Sequence, residues 1–146
     1  MSKRREQIVD NYGEHIAFVF LSQDSVDLEH GNLEGLCAPG ISTLSGRSFA
    51  GSLIYGAMLQ GSDLSGCNFE QCDMRGSNLM GTLLIDCNFA GANLGLNSLD
   101  GATQLQGANL TGSNLVGCSL QGATYDSNTK FPIGFEPDLF GMACDS

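Results

Sequence analysis

Residues 62–94 read SDLSGCNFEQCDMRGSNLMGTLLIDCNFAGANL, and within this stretch an apolar residue returns at every fifth position. The residue two positions before each apolar centre is usually small, and the residue two positions after it is usually glycine. The same period runs from Ser42 to Tyr125, with one extra residue between the apolar positions Leu99 and Leu105. A fixed short period indicates a repeat architecture in which each unit packs on its neighbours.

The period of five also predicts the local structure of each unit. An amphipathic helix has a period of about 3.6 residues and a strand alternates every second residue, so neither fits. A short extended piece followed by a corner does fit, with the apolar centre and the small residue facing inward. The residue between these two then faces water. We therefore predict an all-β solenoid.

Three aromatic centres predict the number of units in each coil. Phe49, Phe69 and Phe89 are the only phenylalanine centres, and they lie twenty residues apart. Four units per coil would stack them in one structural core column, with successive coils about 4.8 Å apart. Three or five units per coil would scatter them among the leucine positions.

The units resemble those of the pentapeptide repeat family, which run small residue, Asp or Asn, Leu or Phe and two variable residues. Close matches include Ser62–Leu64, Cys67–Phe69 and Ala92–Leu94, and the resemblance covers more than half of the chain. It implies a right-handed quadrilateral β-helix with four units per coil. The tail Gly122–Pro137 resembles the C-terminal caps of members that are abundant in cyanobacteria. The family has no single activity, although some members bind and inhibit DNA gyrase as mimics of the duplex.

The two ends of the chain are predicted to be caps, because an open solenoid end exposes an unpaired sheet edge. We predict a helical N-terminal cap with a helix from Lys3 to about Asn11, ended by Gly13. The stretch Ile16–Leu21 fits either a helix or a buried strand. The predicted single domain, residues 1–146, has an N-terminal cap with an imperfect first coil (1–41), a β-helix (42–125) and a C-terminal cap (126–146).

Two features depart from the repeat. Arg47 occupies an inward position that is small in most units, and an unpaired buried charge would be costly. We predict that Arg47 pairs with an acid of the N-terminal segment such as Glu29 or Glu34, or that the repeat bulges there. The extra residue at Gln104 and Leu105 is interpreted as a bulge or a corner loop.

The sequence does not suggest catalysis. It has no phosphate-binding loop, no Cys-x-x-Cys pair and no nucleophile–base pair, and the predicted outward carboxylates lie on different faces. We therefore predict a protein that is not an enzyme and has no cofactor and no bound metal. Four cysteines occupy the small inward position and are predicted to be free, buried thiols: Cys67, Cys72, Cys87 and Cys118.

Charge and the N-terminus limit the possible partners and location. The net charge of −10 argues against direct binding of nucleic acid or an anionic membrane. Met1 to Arg5 are followed by acidic residues rather than by an apolar run, so no signal peptide is predicted. We expect a cytoplasmic monomer.

Apolar residues at outward positions form two predicted surfaces, because contiguous exposed apolar groups suggest contact sites. The candidate cap-docking surface, expected to be covered by the N-terminal segment, is Leu53, Tyr55 and Met58. The candidate partner surface, around a corner two coils along, is Met80, Leu83 and Ile85.

The sequence therefore predicts a non-catalytic scaffold that binds an unidentified protein. The alternative is a DNA-mimicking inhibitor or protector of gyrase. Residues 42–125 carry only five acidic residues against two arginines, which is sparse for a duplex mimic.

Overall fold

The structure is a computed structural model, and it describes residues 3–22 and 27–145. An antiparallel hairpin of β1 and β2 precedes a long array of turns joined by isolated parallel bridges, and β3 pairs in parallel with β4 near the C-terminus. The described elements are β1 (Lys3–Val9), β2 (His15–Ser22), β3 (Thr124–Tyr125), a 3₁₀-helix (Pro137–Phe140) and β4 (Ala143–Cys144).

Four ladders of parallel bridges run along the array, so each coil has four faces. Each ladder joins the outward residue that precedes an apolar centre to its equivalent on the next coil. The first face is Ser48, Asn68, Asn88 and Asn114; the second is Asn32, Leu53, Asp73, Asn93 and Ser119; the third is Cys37, Met58, Asn78, Gln104 and Thr124; the fourth is Asp63, Leu83, Asn109 and Lys130.

A column of phenylalanine rings lies inside the first face. The ring centroids of Phe49 and Phe69 are 5.3 Å apart at 12° between planes, and those of Phe69 and Phe89 are 5.1 Å apart at 15°. All three side chains are buried. Offset stacking of this kind adds to the stabilisation from burial alone.

The small inward position accepts hydroxyls and thiols because their polar atoms find partners on the preceding coil. Ser77 Oγ donates to the Ile54 carbonyl at 2.8 Å and accepts from the Ala57 amide at 3.2 Å. Cys72 Sγ donates to the Phe49 carbonyl at 2.8 Å. These polar groups are buried without the cost of leaving a hydrogen-bonding atom unpaired.

The predicted N-terminal helix is wrong, because residues Lys3–Val9 form strand β1. The ambiguous stretch Ile16–Leu21 lies in strand β2, where Ala17 pairs with Ile8. The β1 side chains alternate in exposure, and Ile8 is buried in the core. Pairing with β2 and packing on the first coil outweigh the helix propensity of the charged run in β1.

Arg47 pairs with acids other than those named from the sequence. Its Nη2 atom lies 2.6 Å from Asp27 Oδ1 and 3.5 Å from Glu6 Oε1. The expected partner Glu29 instead accepts a hydrogen bond from Ser48 Oγ at 2.7 Å. The arginine is only half-buried, so its charge is both paired and partly solvated.

The chain is longer than predicted between Asn93 of the second face and Gln104 of the third face. Asn78 pairs with Gln104, twenty-six residues along, instead of the twenty that separate Met58 and Asn78. Leu99 is therefore no apolar centre, and it is 87% exposed in a corner loop, residues 95–102. Asn97 Oδ1 organises this loop by accepting the N–H groups of Leu99 at 2.9 Å and Gly101 at 2.7 Å.

An aromatic row covers the C-terminal end. The Tyr125 and Phe131 centroids are 5.5 Å apart, those of Phe131 and Phe135 4.9 Å, and those of Phe135 and Phe140 4.5 Å. Asp126 Oδ1 accepts the Asn128 N–H at 2.9 Å, which makes an Asx-type turn before this row.

Candidate functional site

The candidate partner surface spans the fourth face of the β-helix, from the turn at Met80 to the turn at Ile85. Leu83 is the outward residue of the fourth face, and its neighbour Leu84 is fully buried. Met80 lies on the third face, just before the corner at Gly81. Leu83 and Met80 are each 41% exposed, and Ile85 is half-buried. Met80 and Leu83 are therefore exposed on neighbouring faces, and Ile85 is partly exposed in the turn that follows Leu84.

Polar residues surround this surface on the neighbouring coils. In the ladder of the fourth face, Leu83 lies between Asp63 and Asn109. Asp63 Oδ1 accepts the Ser65 N–H at 3.0 Å, and Asn109 Oδ1 accepts the Thr111 hydroxyl at 2.6 Å. The surroundings therefore form a hydrogen-bonded polar rim, and the surface combines an apolar centre with a polar edge as protein interfaces do.

The candidate cap-docking surface is contacted by the corner loop. Tyr55 Oη lies 3.3 Å from Ser98 Oγ of that loop. Leu53 remains 46% exposed, and Met58 is similarly exposed. The described part of the N-terminal hairpin packs instead beside the first coil, where Ile16 and its neighbours line a groove.

A shallow groove of about 360 Å³ runs beside Tyr55 on the second face. The Arg75 guanidinium lies 5.5 Å from the Tyr55 ring centroid and donates to both carboxylate oxygens of Asp73, at 2.9 and 2.8 Å. This hydrogen bond from Arg75 lowers the pKa of Asp73. Of the acids lining the groove, Glu34 alone has no ion pair within the described residues.

Comparison with known families agrees with this geometry. A family model described as pentapeptide repeats (8 copies) matches residues 42–71, 62–96 and 103–124, which together are more than half of the chain. The chain belongs to the pentapeptide repeat family. The predicted family membership is thereby confirmed, and the right-handed quadrilateral β-helix of that family agrees with the four ladders.

Solved structures include similar pentapeptide repeat proteins, among them cyanobacterial ones. The protein Rfr23 from the cyanobacterium Cyanothece 51142 is 29% identical, with 67% of this chain and 65% of that chain covered and a TM-score of 0.34. A protein from Nostoc Pcc 7120 is 26% identical, with 80% of each chain covered and a TM-score of 0.29. One from the Arabidopsis thaliana thylakoid lumen is 26% identical, with coverages of 71% and 64% and a TM-score of 0.30. A search of curated proteins found no match.

An apolar groove of this pentapeptide repeat protein lies at its C-terminal end. Its volume is about 380 Å³, and its lining includes Val116, Ile133 and Phe140. Val116 is 75% exposed on the first face. Sequence reasoning missed this groove because Ile133 and Phe140 follow the repeat. In the sequence, the only indication of this groove was an apolar residue, Val116, at an outward position.

The inward thiols of this pentapeptide repeat protein are poor nucleophiles. Burial raises the pKa of Cys67 to about 11 and the pKa of Cys72, Cys87 and Cys118 to about 12, so the thiolate is rare near neutral pH. Among residues 3–22 and 27–145, no group of three or more His, Cys, Asp or Glu side chains could hold a metal ion. Within the same ranges, no helix is long and apolar enough to cross a membrane.

Proposed function

We propose that this pentapeptide repeat protein is a non-catalytic scaffold that binds a protein partner through Met80, Leu83 and Ile85. The observation that carries the proposal is the order of outward residues along the fourth face. There the apolar Leu83 lies between the polar residues Asp63 and Asn109 of the neighbouring coils. The neighbouring coils form the same bridges with Asp63 and Asn109 at this position, so the bridge does not require an apolar side chain there. Exposed apolar groups that folding does not require are typical of an interaction site.

The backbone holds this surface in place before any partner arrives. The Leu83 amide donates to the Ser62 carbonyl at 2.9 Å, and the Leu83 carbonyl accepts from the Leu64 amide at 2.9 Å. The Ile85 carbonyl accepts from the Gly66 amide at 2.8 Å. A partner would therefore bind a preformed surface with little ordering cost. Complete burial of each apolar side chain would contribute about 1.5–3 kcal/mol.

The test is a tagged pull-down with matched charge variants. Leu83→Asp with Ile85→Asp removes two apolar side chains and adds two charges. Ser119→Asp with Gln121→Asp adds the same charges at the corresponding positions of the second face, away from the candidate partner surface and without removing apolar surface. Thermal unfolding first shows that both variants keep the fold.

The proposal expects a captured partner to be lost with the first pair of substitutions and retained with the second. Capture that is unaffected by Leu83→Asp with Ile85→Asp would contradict it. Loss of the fold in that variant would show that these side chains are needed inside the protein.

A further inference from the structure

The N-terminal end of the β-helix leaves part of one coil edge unpaired. On later coils, the outward residue of each unit donates its N–H to the preceding coil, as Leu53 does to the Gly31 carbonyl at 2.9 Å. Asn32 occupies the same position on the first coil, as its bridge to Leu53 shows. Among the described residues, the Asn32 N–H and the carbonyls of Asn32 and Glu34 have no backbone partner.

The hairpin covers other parts of this end. Asn11 Nδ2 donates to the Gly40 carbonyl at 2.8 Å, and Thr43 Oγ1 donates to the Val9 carbonyl at 2.7 Å. Arg4 donates to the carbonyl of Asp27. These contacts lie at the two ends of the first coil, and the second-face edge around Asn32 lies between them. Asn32 and Glu34 are accordingly exposed.

A groove of about 340 Å³ lies between this open edge and the hairpin. One wall is Ile16–Phe18 of β2 and the other is Asn32–Cys37. Within the described chain, β2 pairs only with β1, so its second edge is also unpaired. Phe18 of the wall is exposed. The groove is thus lined by unpaired backbone groups and by the exposed Phe18 ring, which the Arg5 guanidinium contacts at 4.1 Å from the ring centroid.

The negative charge of Glu34 at the groove indicates what charge a bound segment should carry. Glu34 lines the groove, is exposed, and forms no ion pair within the described residues. A basic side chain opposite Glu34 would complement it. Unpaired N–H and C=O groups on a sheet edge are satisfied by an added strand, in the binding mode known as β-augmentation.

We infer that the edge Asn32–Glu34 binds an extended segment of a partner protein that carries a basic residue opposite Glu34. The segment runs parallel to Asn32–Glu34 and takes the place of a preceding coil, as the direction of the bridge from Asn32 to Leu53 indicates. This site is separate from Met80, Leu83 and Ile85 and does not depend on the proposed function of that surface.

The test uses two synthetic libraries of end-capped seven-residue peptides with Val, Thr, Ile or Tyr at the flanking positions. One library has Lys or Arg at the centre and the other has Glu. The inference expects binders from the basic library alone. N-methylation of alternate amides in the best binder should weaken it at least about tenfold, because backbone hydrogen bonds hold it.

Two protein variants and one exchange measurement complete the test. Glu34→Lys, at an exposed position, should reverse the preference toward the Glu-centred library. Leu83→Asp with Ile85→Asp should leave peptide binding unchanged, which separates this site from the candidate partner surface. Bound peptide should slow hydrogen exchange of the Asn32 amide at least about tenfold. The Leu33 amide, already bonded to the Leu53 carbonyl at 2.7 Å, is the internal reference.

Three results would overturn the inference. The first is no binder in the basic library at about 1 mM peptide. The second is a binder that tolerates both N-methylation and Glu34→Lys. The third is unchanged exchange at Asn32 with peptide bound, or its slowing by self-association of the protein without peptide.

Discussion

Arg47 and Asp27 form a two-point ion pair, with Arg47 Nη2 2.6 Å and Nε 2.7 Å from Asp27 Oδ1. The other carboxylate oxygen of Asp27 accepts the Ser48 N–H at 2.7 Å, and Glu6 of β1 lies 3.5 Å from the same Nη2. This group of residues joins the N-terminal hairpin to the first coil. It explains why an arginine can stand at a position that is small in most units.

The pair predicts a modest loss of stability in Asp27→Asn. Because both side chains are partly exposed and solvent screens the pair, we expect the free energy of unfolding to fall by about 1 kcal/mol at neutral pH. Chemical denaturation of the two proteins measures this difference. Glu34→Gln, which removes an acid that has no ion pair in the described structure, is the matched control and should change stability by less than about 0.5 kcal/mol.

The same pair predicts a pH dependence. Burial alone would raise the pKa of Asp27, but the hydrogen bonds from Arg47 and the Ser48 amide outweigh it and hold the pKa below 3.8. A lowered folded-state pKa stabilises the protein above the unfolded-state value, and this stabilisation is lost as the pH falls through the folded-state value. The difference between wild type and Asp27→Asn should therefore shrink below pH 3.8. A difference that grows in acid would contradict the assignment.

Phe69→Ala should be among the most destabilising single changes, since Phe69 is buried and stacks on a ring on either side. We expect a loss of about 3–5 kcal/mol in the free energy of unfolding. Val116→Ala, at an exposed outward position, should cost under about 0.5 kcal/mol. Equal losses for the two variants would be incompatible with an interior phenylalanine column.

Thiol labelling of the native protein should separate the cysteines into two classes. Cys37 and Cys144 are exposed and should react quickly with an Ellman-type reagent. The other four are buried with raised pKa values, so they should react only after denaturation: Cys67, Cys72, Cys87 and Cys118. Rapid labelling of more than two thiols, or fewer than six after unfolding without reductant, would contradict this.

The protein is predicted not to inhibit DNA gyrase. Duplex mimicry needs dense negative charge along the rod, and residues 42–125 carry only five acids and two arginines. The outward ladder of the first face is Ser48, Asn68, Asn88 and Asn114, which are all neutral. A supercoiling assay with added protein measures the effect, and inhibition at sub-micromolar concentration would favour the DNA-mimic alternative.

The repeat was predictable from the sequence because one rule governs every coil. The spacing of Phe49, Phe69 and Phe89 is enough to predict four units per coil. The corner loop was not predictable in this way. It adds six residues, which is one five-residue unit plus one further residue. Periodicity alone therefore counts Leu99 as a centre, and only the bridge between Asn78 and Gln104 shows otherwise.

The structure at the two ends of the chain depends on tertiary contacts, which local sequence patterns do not predict. The charged run of β1 favours a helix locally, but it pairs with β2 and packs on the first coil. The partner of Arg47 is Asp27, twenty residues earlier. Alternation around the buried Leu84 predicted that Leu83 and Ile85 face outward, and Leu83 is exposed while Ile85 is half-buried. The groove at Ile133 depends on how the tail folds back over the last coil, as β4 pairs with β3.

The central claim is that a protein partner binds at Leu83 and its apolar neighbours. The most direct measurement is the affinity of the purified partner for wild type, Leu83→Ala and Asn109→Ala by titration calorimetry. If the account is right, Leu83→Ala weakens binding by at least about 2 kcal/mol, as expected at an interface centre, while Asn109→Ala at the rim changes it by less than about 1 kcal/mol. Equal affinities for wild type and Leu83→Ala would contradict it.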